Sequence, residues 1–125
     1  MSATHVVCVL LPLHIVSEAN AREHWRKVAA RKKSHRFNAT VWLMNKKRPE
    51  TDEPITITLT RIAPRVLDDD NLSSGFKAAR DGVADWLGID DGSKRLRWLY
   101  AQRRGRTGEY AAEVRVEWAV AREAV

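Results

Sequence analysis

The run "ITITLTRI", residues 55 to 62, alternates apolar and polar side chains at period two and is rich in β-branched residues. That pattern predicts a strand with one buried face, and Pro64 ends it. A strand of this kind must lay its apolar face against another layer. Leu72, Phe76, Ala79, Val83, Trp86 and Leu87 fall at helical spacing, and Gly88 follows as a stop. A longer helix is expected from Asn20, as cap, to about Met44, with Trp25, Ala29, Phe37 and Val41 on its apolar side and "KKRPE" as its breaker at Pro49. The apolar run "VVCVLLPLHIV" reads as a buried strand from about His5 to Leu13. Leu96, Trp98 and Tyr100 alternate in one late strand, and Val114, Val116, Trp118 and Val120 in the last, with "RGRTG" joining the two as a hairpin. The expected fold is a single α/β (mixed α+β) domain over residues 1–125. Its order is β-α-β-α-β-β, with two main helices on a small mixed sheet.

Charge is unevenly spread. Residues 21 to 36 carry seven Lys/Arg against one acid, and residues 94 to 106 carry six with none. These two segments hold a charge of +12 in a chain of net +6, so the remainder is at −6. Such blocks attract a polyanion, with nucleic acid the leading candidate. Arg22, Arg26, Lys27, Arg31, Lys32, Lys33 and Arg36 from the first block, and Lys94, Arg95, Arg97, Arg103, Arg104 and Arg106 from the second, are the candidate DNA contacts. Trp25, Trp98 and Tyr100 interleave with them. A solvated surface that merely aids solubility is the competing account of the same charges.

Cys8 is the one cysteine, so no internal disulfide forms, and a reducing cytoplasm is the expected compartment. The N-terminal apolar run holds Pro12 and His14, has no basic segment before it and shows no A-x-A-like site. It is therefore not expected to act as a signal peptide, and it is too short to span a membrane. His5, His14, His24 and His35 lack ligand spacing, and neither a phosphate-cradling glycine loop nor a zinc-type or Ser/His/Asp set is present.

Against this basic background, residues 66 to 92 place Asp68, Asp69, Asp70, Asp81, Asp85, Asp90 and Asp91 beside only Lys77 and Arg80. Asp68 and Asp70 are two apart, and in an extended segment they point the same way. Carboxylate oxygens are the ligands Mg²⁺ prefers, and a cation would offset the repulsion between like charges. The alternative is that the acids cap a helix starting near Leu72, an effect worth ~0.3–1 kcal/mol. No register of the segment satisfies an EF-hand.

The pattern "LDDDNL…K…RDG…LGIDDG" resembles the RusA-type Holliday junction resolvases, small homodimeric Mg²⁺-dependent endodeoxyribonucleases common in phages and prophages. The resemblance lies in Asp68-Asp69-Asp70-Asn71-Leu72, then Lys77, Asp81 and the Asp90-Asp91 pair. The run "NAREHWRKVAARKK" is also similar to the basic first helix of phage members. The resemblance implies Asp68, Asp70 and Asp91 as metal ligands and catalytic carboxylates, and Lys77 as a supporting catalytic cation. It implies Mg²⁺ as cofactor, with Mn²⁺ able to substitute, and no small-molecule cofactor. The implied partners are branched DNA, in particular a four-way junction cut by paired nicks, and a second copy of the chain, with no membrane partner. One spacing departs: Asn71 to Lys77 is long, which puts Lys77 almost two turns into the expected helix. There an i,i+4 pairing with Asp81 competes with the catalytic role. Asp90 has an alternative reading as a helix-terminal surface acid, and Asp81 and Asp85 read as a solvated face rather than as ligands.

Geometry raises a difficulty for Asp91. A helix from Ser73 to Trp86 is about 21 Å long, with Asp70 at its start and Asp91 beyond its end. Bringing the carboxylates together in one subunit needs a shorter helix, for example one broken near Gly82, or a very direct return of the chain. The alternative expectation is that Asp91 serves the partner subunit's site across a two-fold axis. Two other functions stay open: a nuclease of looser branched-DNA specificity, and a non-catalytic nucleic-acid-binding module whose acids are structural.

Overall fold

The computed structural model describes residues 2–17 and 24–121. The order is β1 (Ser2–Leu11), α1 (Trp25–Leu43), β2 (Ile55–Ala63), α2 (Asp69–Gly75), α3 (Lys77–Leu87), β3 (Leu96–Arg104) and β4 (Ala111–Ala121). The four strands form one mixed sheet in the order β1-β4-β2-β3, and the expected mixed α+β class holds. β4 runs antiparallel to both β1 and β2, whereas β2 and β3 are parallel.

One sheet face carries the core. Val9, Val114 and Leu59 stand in register across three strands, as do Val7, Val116, Ile57 and Trp98 across all four. The helices cover this face with Leu72, Phe76, Ala79, Val83, Trp86 and Leu87. Each of these larger apolar side chains contributes on the order of 1.5–3 kcal/mol by leaving water. The opposite face carries Thr56, Thr58, Thr60, Glu113, Arg115 and Glu117, while Val6, Cys8 and Leu10 on β1 are exposed.

Four expectations need correction here. β3 and β4 do not form a hairpin. The segment from Gly105 crosses the end of β2, where Gly105 N–H donates to Ala63 O at 2.9 Å, and β4 inserts between β1 and β2. The charged end of β3, Arg103 and Arg104, suits an edge strand, whereas β4 is apolar along its buried face and is paired on both sides. β1 spans Ser2–Leu11 as the other edge, with only one face buried.

The third correction concerns α1. The cap is His24, whose Nδ1 accepts from Arg26 N–H at 3.1 Å, and Asn20 lies outside the described residues. Trp25, Ala29, Phe37 and Val41 are exposed, and the buried face is His35, Ala39 and Leu43. Close packing explains the choice. A Cβ added at Gly82 of α3 would stand 2.3 Å from Arg36 O and 2.8 Å from Ala39 Cβ, so only small residues fit where α1 meets α3. Thr40 Oγ donates across the same seam to Gly82 O at 3.1 Å.

The second helix of the sequence pattern is two helices, broken at Phe76 and not at Gly82. Ser73 and Ser74 hydroxyls donate back to Asp70 O and Asn71 O, a local bonding that weakens helix continuity. At Gly75 the chain leaving β1 passes so near that a Cβ would lie 2.6 Å from Val16 O. Phe76, fully buried, then pins the turn. Gly88 ends α3 as expected, at φ 70°. Among the described residues no helix is long and apolar enough to cross a membrane. Replacing Gly82 with Ala should push α1 away from α3. The expected result is a loss of ~1–3 kcal/mol, read as a lower urea midpoint at an unchanged m value.

Candidate active site

β2 delivers the chain to the acidic segment, and side chains of the sheet hold that delivery in place. Buried Arg61 donates from Nε to Ile15 O at 2.8 Å and from Nη1 to Arg65 O, and Arg104 donates to Pro64 O at 3.3 Å. Gln102 exchanges two bonds with Leu67: its Nε2 donates to Leu67 O at 2.7 Å and its Oε1 accepts from Leu67 N–H at 2.8 Å. Asp68 comes next.

Asp68 is the extended N-cap of α2, and its Oδ1 accepts from Asn71 N–H at 3.1 Å. Asp69 and Asp70 lie in the first helical turn. The expectation of two carboxylates aligned along an extended segment is thus corrected. Asp68 is extended and Asp70 is helical, because the cap starts the helix three residues earlier than Leu72. All three acids are exposed. The capping role is real, and it leaves Asp68 Oδ2 and the Asp70 carboxylate outside that bond.

The break at Phe76 makes Lys77 the first residue of α3, correcting its expected place deep in a helix. Its Nζ donates to Asp81 Oδ1 at 2.8 Å and to Asp91 Oδ2 at 2.9 Å. Both the i,i+4 pair and a contact with the distal acid are therefore present. These two carboxylates, Asp81 foremost, hold the Lys77 ammonium above its ordinary pKa. Asp91 is held below the usual carboxylate range, chiefly by Lys77, with Arg80 contributing.

Arg80 is the residue that the sequence reading did not assign. Its Nε donates to Asp91 Oδ2 at 3.1 Å, its Nη2 to Asp91 O at 3.0 Å and its Nη1 to Tyr100 Oη at 2.9 Å. The guanidinium lies 4.6 Å from the centre of the Trp98 ring, and Trp98 Nε1 donates to Asp91 O at 2.9 Å. Trp98 and Tyr100 are thus half-buried partners of Arg80 and Asp91, not aromatic contacts interleaved with a basic surface. The period-two pattern of β3 placed Trp98, Tyr100 and Gln102 on one face; their partners depend on chain folding. The return from α3 is direct, ending with Asp91 against the first turn of that helix in its own subunit. Asp91 thus meets Lys77 and Arg80 of its own chain, with no contact to Asp68 or Asp70 among the bonds of the described residues.

The remaining acids have other partners. Asp85 takes Arg36 in a two-point bond, at 2.7 Å from Nε and 2.9 Å from Nη2, joining α3 to α1. Asp90 Oδ1 accepts from Gly92 N–H at 2.8 Å within the turn before β3.

Of the basic residues, Arg26, Lys27, Arg31, Lys32, Lys33 and Arg36 all lie on α1. Lys32, Lys33 and Arg36 line an open groove of about 460 Å³ together with Lys77, Ala78 and Asp81. A neighbouring hollow of about 440 Å³ joins Lys32 and Lys77 to Ser73, Ser74, Arg80 and Tyr100. The second block is divided. Arg97 and Arg103 alternate onto the sheet face away from the helices, and Arg103 reaches Glu113 at 3.5 Å. The half-buried Arg95 donates to Thr51 O. Lys94 and Arg106 are exposed in the segments flanking β3. Arg22 lies outside the described residues.

Hard carboxylate oxygens are what Mg²⁺ takes, one or two per ion with water and substrate phosphate completing its shell. Asp68 and Asp70 meet that requirement in chemistry and exposure. Among the described residues no three His, Cys, Asp or Glu side chains form a ready-made metal cluster, and Asp91 rests on Lys77 and Arg80. Comparison with models of known protein families and with curated proteins finds no match.

The Arg36–Asp85 pair provides a test of the electrostatics. Arg36 holds the Asp85 carboxyl below its ordinary pKa. Its stabilisation is therefore complete above the unfolded carboxylate's pKa of about 3.9 and disappears as pH falls through the lower folded value. The two side chains are 55% and 43% exposed, so the pair is worth only ~0.2–1 kcal/mol. Urea unfolding of Asp85→Asn should show that deficit at pH 7, and the wild-type and variant stabilities should converge below about pH 4.

Proposed function

We propose that this chain is a Mg²⁺-dependent, structure-specific endodeoxyribonuclease that resolves four-way DNA junctions, acting as a homodimer. The observation that carries the reading is the return of Asp91 to Lys77 and Arg80 at the first turn of α3. This contact brings the distal acid of a carboxylate-rich crossover back to the first turn of α3, beside a groove lined by α1 cations. A segment that only capped a helix would need neither the distal acid nor the cations that hold it.

In this reading Asp68 and Asp70 hold the ion, which when bound supplies Lewis acidity at the phosphodiester and lowers the pKa of water. Asp91, held at Lys77 and Arg80, is the third carboxylate of this reading. Lys77, already shared between two carboxylates, offsets negative charge that develops on the phosphoryl group. Lys32, Lys33 and Arg36 grip the flanking phosphates, giving salt-dependent affinity with little reading of base sequence. A two-fold dimer presents two such sites, as paired nicks require. The exposed stripe of Phe37, Val41 and Met44 along α1, with Trp42 beside it, is an apolar surface of the kind that forms interfaces.

A labelled synthetic four-way junction and a matched linear duplex, each with and without Mg²⁺, test the function. Wild type is expected to nick the junction in pairs and only with metal, and Asp70→Asn to lose cleavage by at least about 100-fold while still binding. Tight junction binding without cleavage in Mg²⁺ or Mn²⁺ would instead favour the non-catalytic module, in which Asp68 serves only as a cap. Metal-dependent cutting of flaps or duplex at equal rates would favour the looser nuclease. In sedimentation, Phe37→Glu should convert a dimer to a monomer.

A further inference from the structure

We propose that one face of β3 sets the spacing between the two halves of the acidic site, with Trp98 and Gln102 as positioning residues. The proposal rests on the metal-dependent reading above and adds residues that contact neither metal nor DNA in it. Alternate side chains of a strand share a face, and on β3 that face presents Trp98, Tyr100 and Gln102 in succession. Each holds a different point of the acidic crossover. Gln102 binds both backbone polar groups of Leu67, the residue before Asp68. Trp98 binds the carbonyl of Asp91. Tyr100, between them, takes one arm of Arg80, whose other two nitrogens bind the Asp91 carboxylate and carbonyl.

The two outer anchors are four residues apart, about 13 Å along an extended strand. β3 is paired with β2 along its whole length, from Leu96 opposite Ile55 to Arg104 opposite Ala63, so this spacing is rigid. Asp68 and Asp91 are each held by a backbone contact immediately beside or upon them, and the strand face acts as their common reference. Loss of an outer hydrogen bond at such a site lowers metal affinity without removing a ligand.

The experiment measures Mn²⁺ binding to the free protein by electron paramagnetic resonance, alongside the Mg²⁺ dependence of junction cleavage. Trp98→Phe keeps an aromatic ring beneath Arg80 and deletes the N–H; Gln102→Met keeps length and deletes both bonds to Leu67. Leu99→Ala, on the opposite face of the same strand, is the control. Each positioning variant should weaken Mn²⁺ binding roughly 10- to 100-fold and raise the half-saturating Mg²⁺ for cleavage. Metal-free junction affinity should stay unchanged, as should every property of Leu99→Ala. Wild-type Mn²⁺ binding in a folded Trp98→Phe variant would overturn the proposal even if Gln102→Met failed to fold. An equal loss in Leu99→Ala would also overturn it, by showing general damage to the strand. Absence of Mn²⁺ binding and cleavage in the wild type would instead remove the metal-dependent reading, and the proposal with it.

Discussion

Parallel pairing of β2 with β3 is the constraint on which the site depends. Parallel neighbours cannot be joined by a tight turn, so the chain must travel back across the sheet between Ala63 and Leu96, and α2 and α3 are that return. Asp68 and Asp70 lie near its start and Asp91 near its finish. The crossover starts where β2 releases the chain, at the carboxyl end where open α/β sheets bind ligands. It finishes near Asp91, just before β3 begins. Because β3 lies directly beside β2, its inner face reaches both ends, and Trp98 and Gln102 attach to them.

Relative magnitudes indicate what holds Asp91. Lys77 is 59% exposed, and an ion pair in that setting contributes ~0–1 kcal/mol and weakens with salt. Arg80 is only 24% exposed; it uses all three guanidinium nitrogens and stacks on Trp98, a contact worth ~0.5–2 kcal/mol by itself. The Trp98 bond to the Asp91 carbonyl adds ~0.5–1.5 kcal/mol. Arg80 and Trp98 therefore dominate the placement of the loop. Lys77 can exchange its carboxylate partners at small cost, as its proposed role against substrate charge requires.

Helix packing accounts for the misread face of α1. Periodicity favours large apolar residues as the buried stripe, and Trp25, Phe37 and Val41 met that pattern. The contact with α3 is instead built on Gly82 and Ala39, where a single added carbon would collide with backbone. Close approach of two helices selects for small residues, which carry almost no hydropathy signal, so the larger ones are left outside. The hairpin expectation failed for a related reason: "RGRTG" permits a turn, but it does not specify whether the next strand pairs with β3 or passes to the far side of β2.

Local patterns determined the elements themselves. The alternation of residues 55–62 made β2, Gly88 in a left-handed conformation stopped α3, and the carboxylates between residues 66 and 92 marked the segment that carries the proposed site. Each of these is written within a few residues and needs no distant partner. Tertiary structure decided where Asp91 goes, that the acidic crossover breaks at Phe76, and that Arg80, Trp98 and Gln102 hold its ends. Those outcomes depend on residues far apart in the chain: Val16 passing Gly75, Arg36 beside Gly82, and β3 lying against β2. Contacts of that kind leave no periodic trace in either partner, because what selects each residue is the shape and hydrogen-bonding capacity of the other.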